Sequence, residues 1–187
     1  KHYADTKKWK TNKTDNWISF QSLTVPCVYL FANRPLEIKD GLDLKAQDSL
    51  FEHLRIESLQ PTLIIHRGHS YHLDKTLSRL TPSIRLAILG SCGGYNKAIS
   101  IATINPDIQV IGSKKTGAMS INDPIIDQIN EELTSGKDLL WKDIWKDLTI
   151  QFSKDPAALS MFREYFPPSD NLGLFVLKLF NFYNRLV

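Results

Sequence analysis

The sequence predicts an α/β fold with a mostly parallel central sheet that is flanked by helices on both faces. Four short apolar runs, at 25–32, 61–66, 84–90 and 107–113, alternate with segments of helical spacing. None of the runs shows the apolar–polar alternation of a half-exposed strand, so we expect both faces of the sheet to be covered. Strands that alternate with helices favour parallel pairing, because each helix carries the chain back to start the next strand in the same direction.

The segments between and after these runs carry helix signals. We predict helices at 44–59, 73–82, 96–105, 123–136 and 137–148. Asp123 is a plausible N-cap with Pro124 in the first turn behind it, and Pro82 ends the second helix. The helix at 137–148 has an apolar side made of Leu140, Trp141, Ile144, Trp145 and Leu148.

Length and composition describe an ordinary folded domain. The chain has 187 residues, of which 42% are hydrophobic and 23% charged, and its net charge of +3 gives no reason to expect a nucleic-acid partner. No run approaches the ~18 apolar residues that a membrane span needs. We divide the chain into an N-terminal extension (1–24), a central domain (25–150) and a C-terminal helical extension that packs on that domain (151–187). Because the chain starts at Lys1, we expect it to be a piece of something longer, with a missing upstream domain as a candidate partner; its cellular compartment stays open.

The two cysteines, Cys27 and Cys92, stand in contrasting surroundings. Two are too few for a disulfide framework, and no paired spacing suggests structural zinc. Cys27 lies inside the run "VPCVYLF", so we expect it to be a small, inert core residue. Cys92 follows its apolar run after a single serine and is succeeded by two glycines. That position favours a reactive thiol over a buried one.

Two strand ends bring imidazole and thiol groups into the same region of the predicted sheet. "TLIIHRGHSYH" (62–72) ends one apolar run in histidines, and "IRLAILGSCGGY" (84–95) ends the next in a cysteine. In a parallel sheet, reactive groups gather at the carboxyl ends of the strands. If the two strands are neighbours, His69 and Cys92 emerge on one edge, where an imidazolium can lower the pKa of a thiol and later donate a proton to a leaving group.

Glycines and backbone amides near these strand ends suit an acyl-transfer site. Gly68 lets the backbone pass close to a substrate carbonyl, and Gly93 can form a turn with positive φ. Amides at that turn, led by that of Cys92, could stabilise a developing oxyanion. A metal site made of His66, His69 and His72 is a weaker reading, since no acidic or thiol ligand lies nearby in sequence. His66 is the reserve candidate for the base.

An apolar strand ending in Gly68-His69, followed by one ending in Ser91-Cys92, resembles the caspase–gingipain clan of cysteine peptidases. That clan includes clostripain, legumain, separase and the bacterial CHAT-type domains, and the resemblance spans about residues 25–150. It implies a caspase-like three-layer sandwich and a cysteine-type endopeptidase that needs no metal or organic cofactor. By the same resemblance Cys92 is the nucleophile, His69 the catalytic histidine, and the amides of Ser70 and Cys92 the oxyanion hole. The segment after the fourth strand would then form the specificity pocket, with Ser113, Lys114 and Lys115.

Three features depart from the pattern of this clan. Ser70 replaces the glycine that commonly follows the histidine, only 22 residues separate His69 from Cys92, and Gly90 stands where an acidic residue or glutamine is frequent. These departures keep open a second hypothesis, a catalytically inactive caspase-like domain that binds a protein partner. A third is a nucleotide-binding domain with "GSCGGYNK" as its phosphate loop, although the glycine spacing matches neither a Walker loop nor the dinucleotide fingerprint.

Overall fold

A computed structural model describes residues 2–25, 28–34 and 41–170, together with residues 176, 179, 180 and 184. The chain is mixed α/β, as predicted, and it divides into two compact units. The first unit comprises residues 1–60 and 130–138, and the second comprises residues 61–129 and 139–187. Cys27, which the sequence predicts to be a core residue, lies outside the described residues.

The first unit contains an antiparallel sheet and one long helix. Its strands pair in the order β1 (Trp9–Lys13), β2 (Trp17–Ser22) and β3 (Tyr29–Asn33), and helix α1 follows at Leu42–Ile56. The prediction that the run at 25–32 joins the parallel sheet is therefore wrong. The reason is local: β2 is connected to β3 by a short segment, so an antiparallel partner forms at little entropic cost. Several residues of β3 are exposed, unlike those of a strand covered on both faces.

The segment predicted as an N-terminal extension thus supplies two strands of this sheet. Trp9 is buried and meets the Tyr3 ring edge-on at a centroid distance of 5.2 Å, while Tyr3 stacks on Phe20 at 4.7 Å. Trp17 stacks on the imidazole of His53 in α1. The polar composition of residues 1–22 concealed these aromatic contacts, which lie on both faces of the hairpin: Trp9 and Phe20 on one, Trp17 on the other.

The second unit contains the parallel sheet, which has three strands among the described residues. Its order is β4 (Leu63–Arg67), β5 (Leu86–Gly90) and β6 (Gln109–Gly112), and both pairings are parallel. Every residue of β5 is buried, as expected of a central strand that lacks polar alternation. The core of this unit is made of side chains from β5, β6 and the segments around them: Leu73, Leu77, Ile84, Ala87, Leu89, Ala98, Ile101, Ala102, Ile108 and Val110.

Helices α2 (Leu73–Leu77) and α3 (Ala98–Ile104) connect these strands, and α4 (Met119–Thr134) follows β6. Helix α4 begins four residues before the predicted start at Asp123, and Pro124 lies inside it. The amide of Asn122 makes the first helical bond, to the carbonyl of Ala118. Pro124 lies in the second turn of this helix, where it removes the bond that an N–H would have donated to the carbonyl of Ser120. Because the Asp123-Pro124 pair has the pattern of a helix start, the sequence prediction omitted the first turn of this helix.

Two further helices follow, α5 (Trp141–Phe152) and α6 (Pro156–Phe162). The buried residues of α5 are Ile144, Leu148 and Phe152, whereas Leu140 precedes the helix and is 60% exposed, so its predicted place on the apolar side is wrong. Most of the second helical stretch predicted in the C-terminal tail lies outside the described residues. Across the described ranges, each helix is too short or too polar to cross a lipid bilayer.

Candidate functional site

The predicted adjacency of the two histidine- and cysteine-bearing strands is confirmed. Strands β4 and β5 are parallel neighbours, with His66 opposite Leu89 and Arg67 opposite Gly90. His69 and Cys92 each follow two residues after the last of these pairs. Both residues are exposed, and both belong to the carboxyl ends of adjacent strands. This edge of the sheet is the candidate functional site.

The imidazole of His69 contacts the aromatic ring of Tyr71. His69 has an extended backbone (φ −71°, ψ 147°) and precedes a 3-10 turn at Ser70–His72. Its ring stacks on Tyr71 with centroids 5.3 Å apart and an interplanar angle of 15°. Within the described part of the chain, no hydrogen bond joins this imidazole to the Cys92 thiol. The two groups share an edge but are not paired in this conformation.

His66 is the histidine that the fold holds most firmly. It is 7% exposed, its Nδ1 lies 2.8 Å from Thr76 Oγ1, and its Nε2 lies 3.3 Å from the carbonyl oxygen of His69. Because a carbonyl only accepts, Nε2 carries the proton, and Nδ1 accepts from the Thr76 hydroxyl. Burial lowers the pKa of His66, opposed by the hydrogen bond to His69 and assisted by the charge of His72. His66 therefore anchors the backbone of His69, which fits a supporting role better than that of a base.

The two glycines near Cys92 shape its turn. Gly93 has φ 63°, which favours glycine, and its N–H donates to the carbonyl of Lys115 at 2.7 Å. The positive φ predicted for Gly93 is confirmed, but its N–H is engaged within the protein and is not free to hold an oxyanion, as the amides of this turn were expected to do. The N–H groups of Ser70 and Cys92, by contrast, have no acceptor among the described residues.

Gly68 lies against the imidazole of His66. A β-carbon at Gly68 would be 3.6 Å from His66 Nε2, an ordinary contact distance. Steric need for glycine is therefore weak here. Any special function of Gly68 would come from backbone freedom when a substrate binds.

The residues predicted to form a specificity pocket follow β6, but both lysines have partners inside the protein. Ser113 is buried, and its Oγ accepts from the N–H of Lys115 at 3.1 Å. The ammonium of Lys114 lies 3.8 Å from the ring centroid of Phe166, and that of Lys115 lies 2.8 Å from a carboxylate oxygen of Glu164. Both ammonium groups are thus engaged within the protein, which gives no support to their predicted place in a specificity pocket.

Sequence reasoning missed two buried polar residues beside the cysteine turn. Asn122 Nδ2 donates to the carbonyl of Gly90 at 3.1 Å, and the Tyr165 hydroxyl donates to Asn122 Oδ1 at 2.8 Å. Next to them, Arg67 pairs with Asp123 at 2.5 Å, and both side chains are partly exposed. The available signal was an asparagine among apolar residues in "AMSINDPII", which becomes visible only if the helix is recognised to start before the proline.

No group of three or more His, Cys, Asp or Glu side chains in the described ranges converges where it could hold a metal ion. Comparison with known proteins adds nothing further: no protein-family model, curated protein or solved structure matches this chain at a significant level.

Proposed function

We propose that this chain has a caspase-like three-layer fold and is a cysteine peptidase that cleaves peptide bonds with Cys92 and His69. The observation that carries the proposal is the register of β4 and β5, which puts the two residues at matching positions beyond adjacent strand ends. An exposed thiol, two amides without acceptors and a nearby imidazole are the groups that acyl transfer needs.

In the proposed reaction, His69 takes the proton of the Cys92 thiol, and the thiolate attacks the carbonyl carbon of the substrate. The amides of Ser70 and Cys92 donate to the resulting oxyanion. The C–N bond then breaks as the imidazolium of His69 gives its proton to the leaving amine. Water, deprotonated by His69, attacks the thioester, which releases the acid and restores the thiol. The reaction needs no metal and no organic cofactor, and its substrate is a peptide or protein.

The pairing requires His69 to leave its stack with Tyr71. An exposed aromatic–imidazole stack is worth about 0.5–1.5 kcal/mol, so the ring can be released when a substrate binds. Catalytic hydrogen bonds are frequently long or unformed in free enzymes and tighten on substrate binding. The conformation in which His69 stacks on Tyr71, without a hydrogen bond to Cys92, is therefore compatible with the proposal.

A broad peptide library, read by mass spectrometry after incubation with the purified chain, tests the proposal. We expect cleavage by the wild type and by the control His53→Ala, a histidine that lies in α1 of the other unit. Cys92→Ala should abolish cleavage, and His69→Ala should lower its rate by roughly 10²–10⁴-fold, the usual contribution of a positioned proton donor. Cleavage that persists in Cys92→Ala would refute the assignment.

The second candidate function is a catalytically inactive domain that binds a protein partner. Two observations favour it: the His69 ring is stacked on Tyr71 rather than bonded to Cys92, and the N–H of Gly93 is engaged by Lys115. A folded wild-type chain that cleaves nothing in the library would support this alternative over the peptidase.

A further inference from the structure

A buried polar chain lies beside the turn that carries Cys92. The hydroxyl of Tyr165 donates to Oδ1 of Asn122, and Nδ2 of Asn122 donates to the carbonyl of Gly90. Asn122 and Tyr165 are each 3% exposed. Gly90 is the last residue of β5 and precedes Cys92 by two residues. The chain thus ends on the backbone that enters the cysteine turn.

The order of donors and acceptors in this chain has one solution. The carbonyl of Gly90 only accepts, so the amide nitrogen of Asn122 must face it. The amide oxygen then faces Tyr165, whose hydroxyl must donate. Burial raises the pKa of Tyr165 to about 12, opposed by a hydrogen bond with the backbone of Ala118. The phenol therefore keeps its proton at neutral pH, and the orientation of the Asn122 amide is fixed.

Close backbone contacts also confine this turn. A β-carbon on Gly117 would lie 2.5 Å from the carbonyl carbon of Ser91, and one on Gly90 would lie 2.9 Å from the carbonyl oxygen of His66. Ser113, just after β6, forms an isolated antiparallel bridge with Tyr165. The turn is consequently held between the end of β4 and the segments that precede α4 and follow α6.

The Asn122 amide supplies a donor to the buried carbonyl of Gly90, which an apolar side chain would leave unsatisfied, and the Tyr165 hydroxyl satisfies the amide oxygen in turn. The network stabilises this region and also orients its members. What a hydrogen-bonded network supplies is a defined geometry for the groups at its end. Here the group at the end of the network is the carbonyl of Gly90, two residues before Cys92.

We propose that Asn122 and Tyr165 are positioning residues for Cys92. They hold the Gly90 carbonyl, and with it the Cys92 turn, at the place from which the thiol reaches the His69 imidazole. The inference rests on the proposed function, because it is the reaction of Cys92 with the help of His69 that gives the position of the turn its meaning.

The test measures how much His69 accelerates alkylation of Cys92. Iodoacetamide labels the chain at pH 7, and mass spectrometry of the peptide that contains Cys92 gives the rate. The rate in a given chain divided by the rate in the same chain with His69→Ala is the His69 factor. We expect a factor well above one in the wild type, and a fall of about tenfold, or to one, in Tyr165→Phe and in Asn122→Ala; tenfold corresponds to 1.36 kcal/mol. Tyr165→Phe should cause no further fall once Asn122→Ala is present, because both act through one chain.

Asn105→Ala is the matched control. Asn105 is another buried amide of this unit, 9% exposed, and it donates to the carbonyl of Ile84 at 3.4 Å, before β5 begins. Its loss should lower Tm and leave the His69 factor unchanged. If Asn122→Ala fails to fold, Tyr165→Phe still decides, since it deletes a single oxygen atom.

The outcomes separate the inference from the function on which it rests. A His69 factor of one in the wild type contradicts the proposed function and the positioning role together. A factor above one that survives both Tyr165→Phe and Asn122→Ala contradicts the positioning role alone. A fall that Asn105→Ala reproduces would show a general effect of destabilisation, and it would also overturn the inference.

Discussion

Replacing Gly117 by alanine should move the cysteine turn and slow the proposed peptidase reaction. The backbone of Gly117 is outside the left-handed region, so an alanine there is resisted by contact alone. Its β-carbon would lie 2.5, 2.7 and 2.8 Å from the carbonyl carbon, oxygen and Cα of Ser91, all of them backbone atoms that cannot rotate away. Ordinary contact begins at 3.4 Å, so the two segments must separate by about 0.9 Å (3.4 minus 2.5). Overpacking of this kind costs about 1–3 kcal/mol.

Because Ser91 is bonded directly to Cys92, most of that displacement reaches the thiol. A shift near 1 Å can reduce catalysis by about 10²-fold. The assay compares library cleavage and chemical denaturation for Gly117→Ala and for Ile108→Val, a core substitution in the same unit expected to cost about 0.5–1.5 kcal/mol. Gly117→Ala should lose activity far beyond its loss of stability, whereas Ile108→Val should keep its activity. Equal activity in the two variants at comparable stability would refute the reasoning.

Three further predictions concern stability. Leu148→Ala, at a fully buried position of α5, should lower the free energy of unfolding by about 2–5 kcal/mol. Leu140→Ala, at an exposed position, should change it little. Urea denaturation of both variants measures the difference, and equal effects would contradict the burial of Leu148. Asp155 accepts from the N–H groups of Ala157 and Ala158 at the start of α6, so Asp155→Ala should cost about 0.5–2 kcal/mol and Asp155→Asn much less. Burial lowers the pKa of His66, so the folded chain binds this proton less readily than the unfolded chain, whose histidines titrate near 6.5. The free energy of unfolding should therefore fall as the pH drops below about 6.5, and the fall should be smaller in His66→Asn. A dependence on pH in His66→Asn that equals that of the wild type would contradict this prediction.

Much of the second unit could be predicted from the sequence because its signals are local and concordant. The runs at 61–66, 84–90 and 107–113 are mostly apolar, and they contain most of the three parallel strands found among the described residues. The first unit was harder to predict, since β1 is mostly exposed and polar and lacks the alternation of apolar and polar residues that indicates a strand. The run at 25–32 was apolar enough to suggest the central sheet, yet it pairs with β2, a partner nearby in the chain. Composition alone cannot choose between two possible partners for a strand.

The candidate site could be predicted only as far as strand order determines it. Adjacent parallel strands bring His69 and Cys92 to one edge, and that followed from two short motifs. The supporting contacts did not follow, because Asn122 and Tyr165 are 43 residues apart in the chain and meet only through tertiary packing. Likewise, the engagement of Gly93 by Lys115 depends on the loop after β6.

Chemical cross-linking tests the pairing of thiol and imidazole most directly. The bifunctional reagent 1,3-dibromoacetone alkylates a thiolate first, and its second carbon then reaches only a nucleophile within a few ångströms. Peptide mapping should find the sulfur of Cys92 joined to a ring nitrogen of His69, with no such bridge in His69→Ala. Alkylation of Cys92 without a bridge, or a bridge to a different side chain, would contradict the account.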